Sequence, residues 1–149
     1  MDLLPDFKDL LSALADSSAD YLVVGGWAVS FHSQPRFTKD LDLLIGTEAT
    51  NLARVVEAVR RFGAPPTIVE QLTSLGPDEF LFLGAPPARV DLLRAIPGVD
   101  FRAAMSRAIR VDWDGVPANI ISRDDLIASK RAAGRERDLR DLRTLERKR

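Results

Sequence analysis

Residues 21–45 read YLVVGGWAVSFHSQPRFTKDLDLLI. Tyr21 to Val24 is an apolar run of the length and composition of a buried strand. It stops at Gly25-Gly26, and an apolar segment of helical character follows from Trp27 to about His32. A turn at Pro35 leads through Arg36-Phe37-Thr38-Lys39 into Asp40-Leu41-Asp42-Leu43-Leu44-Ile45, a second strand with two carboxylates near its start. A double glycine between strand and helix lets the backbone approach a ligand closely, because no Cβ intervenes. The helix start behind it presents unpaired N–H groups and the positive end of the helix dipole, which suits phosphate. Residues two apart on a strand share a face, so Asp40 and Asp42 project together, away from Leu41 and Leu43. Adjacent carboxylates repel unless a positive charge lies between them. Mg²⁺, which takes oxygen ligands and keeps waters for a phosphate substrate, meets that need.

Outward from this stretch the chain reads as one domain, 1–149, with a C-terminal helical part at about 122–149. Leu3, Leu4, Phe7, Leu10, Leu11 and Leu14 form the apolar face of a first helix, with Pro5 in its first turn. Thr47 to Phe62 reads as a helix capped by Thr47 and stopped at Gly63. Thr67 to Leu75 fits either a short helix or an irregular segment. Asp78 to Leu83 and Arg89 to Leu93 read as strands, and Asp100 as the cap of a short helix, Phe101 to Ser106. Ile109–Trp113 and Val116–Ile121 flank Asp114-Gly115, a hairpin signal. Ser122 opens a helix through a capping box with Asp125. Gly134 breaks it, and a charged helix follows from Arg135 with Leu139, Leu142 and Leu145 as its inward stripe.

The chain has 149 residues, 46% apolar and 29% charged, enough for a packed core and too apolar for disorder. A net charge of −1 excludes nucleic-acid binding driven by total charge, though not a local basic patch. The absence of cysteine excludes disulfides, thiolate metal sites and cysteine nucleophiles. No signal peptide and no run of membrane-spanning length is visible, so a cytoplasmic protein without membrane partners is expected.

Asp91 stands alone in an apolar strand, a costly place for a carboxylate unless it is paired, with Arg89 or Arg94, or metal-bound. Lys130 is either a favourable charge late in a helix or a phosphate contact. The mixed charges around Arg135, Arg137, Asp138 and Asp141 read most simply as an exposed, salt-bridged helix. Trp27 suits a base-stacking role or core packing, and Arg36 and Thr38 suit phosphate contact or loop shaping. His32, the single histidine, suits a structural hydrogen bond.

Gly25-Gly26, then a helix, then Asp40-x-Asp42 on the next strand resembles the nucleotidyltransferase superfamily of DNA polymerase β type. The spelling GGWAV at 25–29, with Arg36, Thr38 and DLDL at 40–43, is similar to two branches. One comprises AbiEii-type nucleotidyltransferase toxins, the other the enzymes that adenylylate aminoglycoside or lincosamide antibiotics. Lys130, then Arg135 or Arg137, then Asp138 and Asp141 resembles the toxin branch.

The resemblance implies an α/β (α+β) nucleotidyltransferase fold, a mixed sheet flanked by helices. It implies a site in which Asp40, Asp42 and Asp91 bind two Mg²⁺ ions. Gly25, Gly26 and the Trp27 amide, with Arg36 and Thr38, would hold the phosphates of a nucleoside triphosphate. Lys130 would add positive charge, and Asp138 would orient it or a nucleophile hydroxyl. The acceptor it implies is an RNA, a protein hydroxyl or a small molecule, with an antitoxin as partner; a non-catalytic interaction module on the same fold is the alternative. Larger relatives build the acceptor site from a C-terminal helical domain. Here about two helices follow the sheet, so that pocket is expected to be incomplete or completed by a partner.

Overall fold

The computed structural model of the chain describes residues 3–34, 40–76, 78–85 and 87–147. In chain order the elements are α1 (Pro5–Asp16), β1 (Tyr21–Val24), α2 (Gly25–His32), β2 (Leu41–Ile45), α3 (Ala49–Phe62) and α4 (Pro66–Thr73). They continue with β3 (Phe80–Leu83), β4 (Val90–Leu93), α5 (Phe101–Ser106), β5 (Ile109–Trp113), β6 (Val116–Ile120), α6 (Arg123–Ala133) and α7 (Glu136–Arg147). The six strands form one mixed sheet in the order β3-β4-β2-β1-β6-β5. β1 runs antiparallel to β2 and parallel to β6, and β2 runs parallel to β4. The outer strands β3 and β5 pair antiparallel with β4 and β6. This is the mixed α/β architecture that the sequence predicts.

The central strands are central because they are apolar on both faces. All four residues of β1 are buried, and β2 buries all but Asp42, the pattern of strands covered on both sides. Their neighbours join one hydrophobic cluster that runs from Leu3 to Leu145. α1 packs on α3 and β6, α3 on α4, and α4 on β3, while α2 lies against β1 and β2 and meets α6 and α7. The hairpin turn between β5 and β6 forms as expected, with Asp114 at φ 55° and Gly115 at φ 87°, the left-handed pair that such turns require. Asp100 caps α5 by accepting from Ala103 N, and Ser122 caps α6 by accepting from Asp125 N. Among the described residues no helix is long and apolar enough to cross a membrane.

Three details differ from the sequence reading, and one that it left open is settled. α3 starts at Ala49 with Glu48 at its N-cap and no side-chain cap, so Thr47 does not cap it. Order there comes instead from buried Asn51, whose amide accepts from Asp20 N and donates to the Asp20 and Gly46 carbonyls. The ambiguous stretch after Pro65 is the helix α4. Gly25 and Gly26 are the first residues of α2 rather than a turn ahead of it. On α7 the inward face is Asp138, Asp141, Leu142 and Leu145, whereas Leu139 is exposed.

Candidate functional site

The acids meet because two strands are in register. On the parallel pair β2–β4, Asp42 lies opposite Asp91. Val24 lies opposite Asp42, and Phe82 lies opposite Asp91. One row therefore crosses four strands in the order Val24, Asp42, Asp91, Phe82, and paired residues of neighbouring strands share a face of the sheet. Leu41, Leu43 and Leu92 have the opposite parity and are fully buried. Asp40 precedes β2 at the point where Leu41 N donates to Arg89 O over 3.1 Å, which sets it beside the start of β4.

Asp42 is the most perturbed carboxyl of the group. Burial, the charge of adjoining Asp91, a hydrogen bond with Asp91 and the charge of Asp40 push it up to about 7, against a pull from Lys130. The same Asp42 carboxylate fixes the glycine. Gly25 has φ +64°, and a Cβ at that position would collide with Asp42 Oδ2. The head of α2 can approach the acid pair only because position 25 has no side chain.

Asp91 is also bonded to Arg89, whose Nε donates to Oδ1 over 2.9 Å. The Arg89 guanidinium lies over the exposed Phe82 ring, 4.4 Å from its centroid. Lys130 reaches in from α6. Its Nζ lies 3.3 Å from Asp138 Oδ1 and 3.0 Å from Asp141 Oδ2. Asp138 is fully buried and accepts from the backbone N and the Nε of Arg135 over 3.1 and 2.7 Å. Burial pushes Asp138 up, but its bonds from Arg135 and Lys130 outweigh that and hold it below the usual carboxylate range. The charges of Asp138 and Asp141 thus face inward, towards a lysine, and the helix is not simply a solvated, salt-bridged surface.

Gly25, Gly26, Asp40, Asp42, Asp91, Lys130 and Asp138 all line one cleft of about 700 Å³. Trp27 does not. Its indole packs edge-on against Phe7 and Trp113, with ring centroids 6.0 and 5.2 Å away, and is buried. Of the two roles the sequence allows this ring, core packing is the one it has, and the Trp27 backbone amide is what is left as a phosphate candidate. Arg36 and Thr38 lie outside the described residues. His32 Nε2 is 2.7 Å from Ile121 O, the structural bond expected.

Arg135, Arg137 and Asp141, matched in the Lys130 motif without an assigned role, also line the cleft, and so does Phe80, which the sequence does not single out. Phe80 sits in the all-apolar run FLFL, which carries no sign of which face is wet. Asp141 was legible as Asp138 plus three, one helical turn on.

An oxygen-only donor set of adjoining carboxylates fits a hard divalent cation. Among the described residues, however, no group of three or more His, Asp or Glu side chains is arranged to hold a metal ion as they stand. Arg89 already takes one Asp91 oxygen. The carboxylates fit such an ion in chemistry and in their shared face, and Arg89 would have to yield.

No protein-family model matches the chain, and no curated protein matches it. Among solved structures it is similar to an antigenic nucleotidyltransferase-like protein from Paracoccidioides brasiliensis, over 97% of this chain and 78% of that one. The sequence identity is 16% and the TM-score 0.49. A likeness at that level assigns no activity.

Proposed function

We propose that the chain is a metal-dependent nucleotidyltransferase that moves a nucleoside monophosphate from a nucleoside triphosphate to a hydroxyl acceptor. One observation carries the reading. A single carboxylate, Asp42, lies opposite Asp91 across the β2–β4 ladder and against the bare Cα of Gly25 at the head of α2. Acid pair and glycine-headed helix are thus parts of one site. In the reaction the acceptor oxygen bonds to the α-phosphorus, the bond from that phosphorus to the bridging oxygen breaks, and pyrophosphate leaves. Asp91 would take the hydroxyl proton. The amides at Gly25, Gly26 and Trp27 would bind phosphate oxygens, and Lys130, held by Asp138 and Asp141, would add positive charge. Mg²⁺ ions held by Asp40, Asp42 and Asp91 would supply a lowered acceptor pKa and charge neutralisation on pyrophosphate.

The resemblance of the Lys130–Asp141 segment to AbiEii-type toxins supports a toxin–antitoxin setting, with an RNA or protein acceptor ahead of an antibiotic. A second reading, a non-catalytic binding module on this fold, draws on the Arg89–Asp91 ion pair, because an arginine there stands where a catalyst would need a cation. The test is transfer from each labelled triphosphate to a tRNA pool and to total protein, alongside calorimetry of nucleotide binding with Mg²⁺. We expect metal-dependent binding by the wild type and none by Asp42→Ala. Equal, metal-independent binding by both would refute the enzyme reading.

A further inference from the structure

We propose that Arg89 is a built-in rival of the divalent cation at Asp91, and that binding of the metal requires its guanidinium to leave that carboxylate. The inference rests on the nucleotidyltransferase reading of the cleft. Asp91 is engaged by Arg89 Nε at 2.9 Å and lies opposite Asp42 across the β2–β4 ladder. Among the described residues, Arg89 is the one cation in an ion pair with any of Asp40, Asp42 and Asp91, because Lys130 is held by Asp138 and Asp141. A guanidinium and a metal ion want the same carboxylate oxygens, so each weakens the other's hold.

The surroundings allow the exchange without rearranging the backbone. Arg89 O stays bonded to Leu41 N in the β2–β4 ladder. The Arg89 side chain is one-third exposed (32%) and rests on Phe82, an exposed ring of the edge strand. The guanidinium can pivot off Asp91 while keeping the ring under it, and that stacking offsets part of the lost ion pair. Arg89 is then a positioning residue. It steadies Asp91 before the metal arrives and sets the metal concentration at which the site fills.

The test uses the full chain without nucleotide and reads Mn²⁺ binding by the electron paramagnetic resonance of the free ion. The Arg89→Gln variant should bind Mn²⁺ about threefold more tightly than wild type, or better, the scale expected for removing a partly exposed ion pair. Arg89→Lys, which keeps the charge but loses the planar fork and the stacking, should fall between them. Binding by Arg89→Gln that is equal to or weaker than wild type overturns the proposal, since Arg89 would then support the metal site rather than oppose it. Should Arg89→Gln fail to fold by circular dichroism, Arg89→Lys carries the test alone, and affinity no tighter than wild type overturns it. If wild type, Arg89→Gln and Asp42→Ala all fail to bind Mn²⁺, the metal site itself is wrong and both readings fall. Binding by wild type that Asp42→Ala abolishes keeps the site, whatever Arg89 does.

Discussion

Gly25 and Asp42 constrain each other. Position 25 combines a left-handed φ with a neighbour that leaves no space for a methyl group, so Gly25→Ala must both strain the backbone and displace the Asp42 carboxylate. We expect a loss of about 1–3 kcal/mol in urea unfolding, together with loss of nucleotide binding. Gly63→Ala, at a helix end with open space around it, should leave binding intact. Asp42 also sets a pH dependence. Its folded value of about 7 lies above the ordinary 3.8, so between these values the folded chain keeps a proton that the unfolded chain has released. Its contribution is therefore full at acid pH and is lost as pH rises towards 7, at up to about 1.4 kcal/mol per pH unit. Asp138, held low, acts oppositely: its contribution is present above the ordinary carboxylate range and is lost on acidification through its folded value. In EDTA, urea midpoints across this window should fall for wild type and flatten for Asp42→Asn; an unchanged slope in that variant would refute the assignment.

At the level of elements, α7 shows where periodicity fails. Counting leucines aims Leu139 inward with Leu142 and Leu145, yet the face that packs carries Asp138 and Asp141. Apolar spacing could not reveal this, because the partner that makes burial of two acids tolerable, Lys130, lies on another helix. Removing it takes the Lys130 ammonium from both acids and leaves Arg135 on Asp138. Lys130→Met is expected to cost about 3–5 kcal/mol by chemical unfolding. Leu139→Gln should stay within about 0.5 kcal/mol, whereas Leu142→Ala should cost about 2–5. If Leu139→Gln proves as damaging as Leu142→Ala, the helix is turned differently. The strands were easier to read. Tyr21–Val24, the run after Asp40 and the Asp-Gly hairpin carry their signals within a few residues, and so do the caps Asp100 and Ser122. Thr47 failed as a cap because a buried amide farther along, Asn51, organises that turn through residues distant in sequence.

Across the whole molecule, the apolar cluster spans from Leu3 to Leu145, so we expect one cooperative thermal transition. A Mg²⁺–triphosphate pair at a hundred times its dissociation constant should add about 2.7 kcal/mol to stability, a shift that Asp42→Ala should remove. Gly25-Gly26 and the acids at 40, 42 and 91 could be picked out in sequence because each stands out from its surroundings. The Arg89 contact could be named only as one of two options, and Phe80 not at all, because both depend on which strand lies at the sheet's edge. The register that sets Asp42 against Asp91 has one more consequence. The spacing of the two acids is indexed by the rungs of the backbone ladder, at about 4.8 Å per strand, and not by the packing of neighbouring side chains. Drift in those neighbours leaves the interval intact, whereas a slip of a single rung would carry leucines into the cleft and carboxylates into oil. Such a chain has no half-built version of this centre: the ladder that holds the protein together is also the ruler that spaces its chemistry.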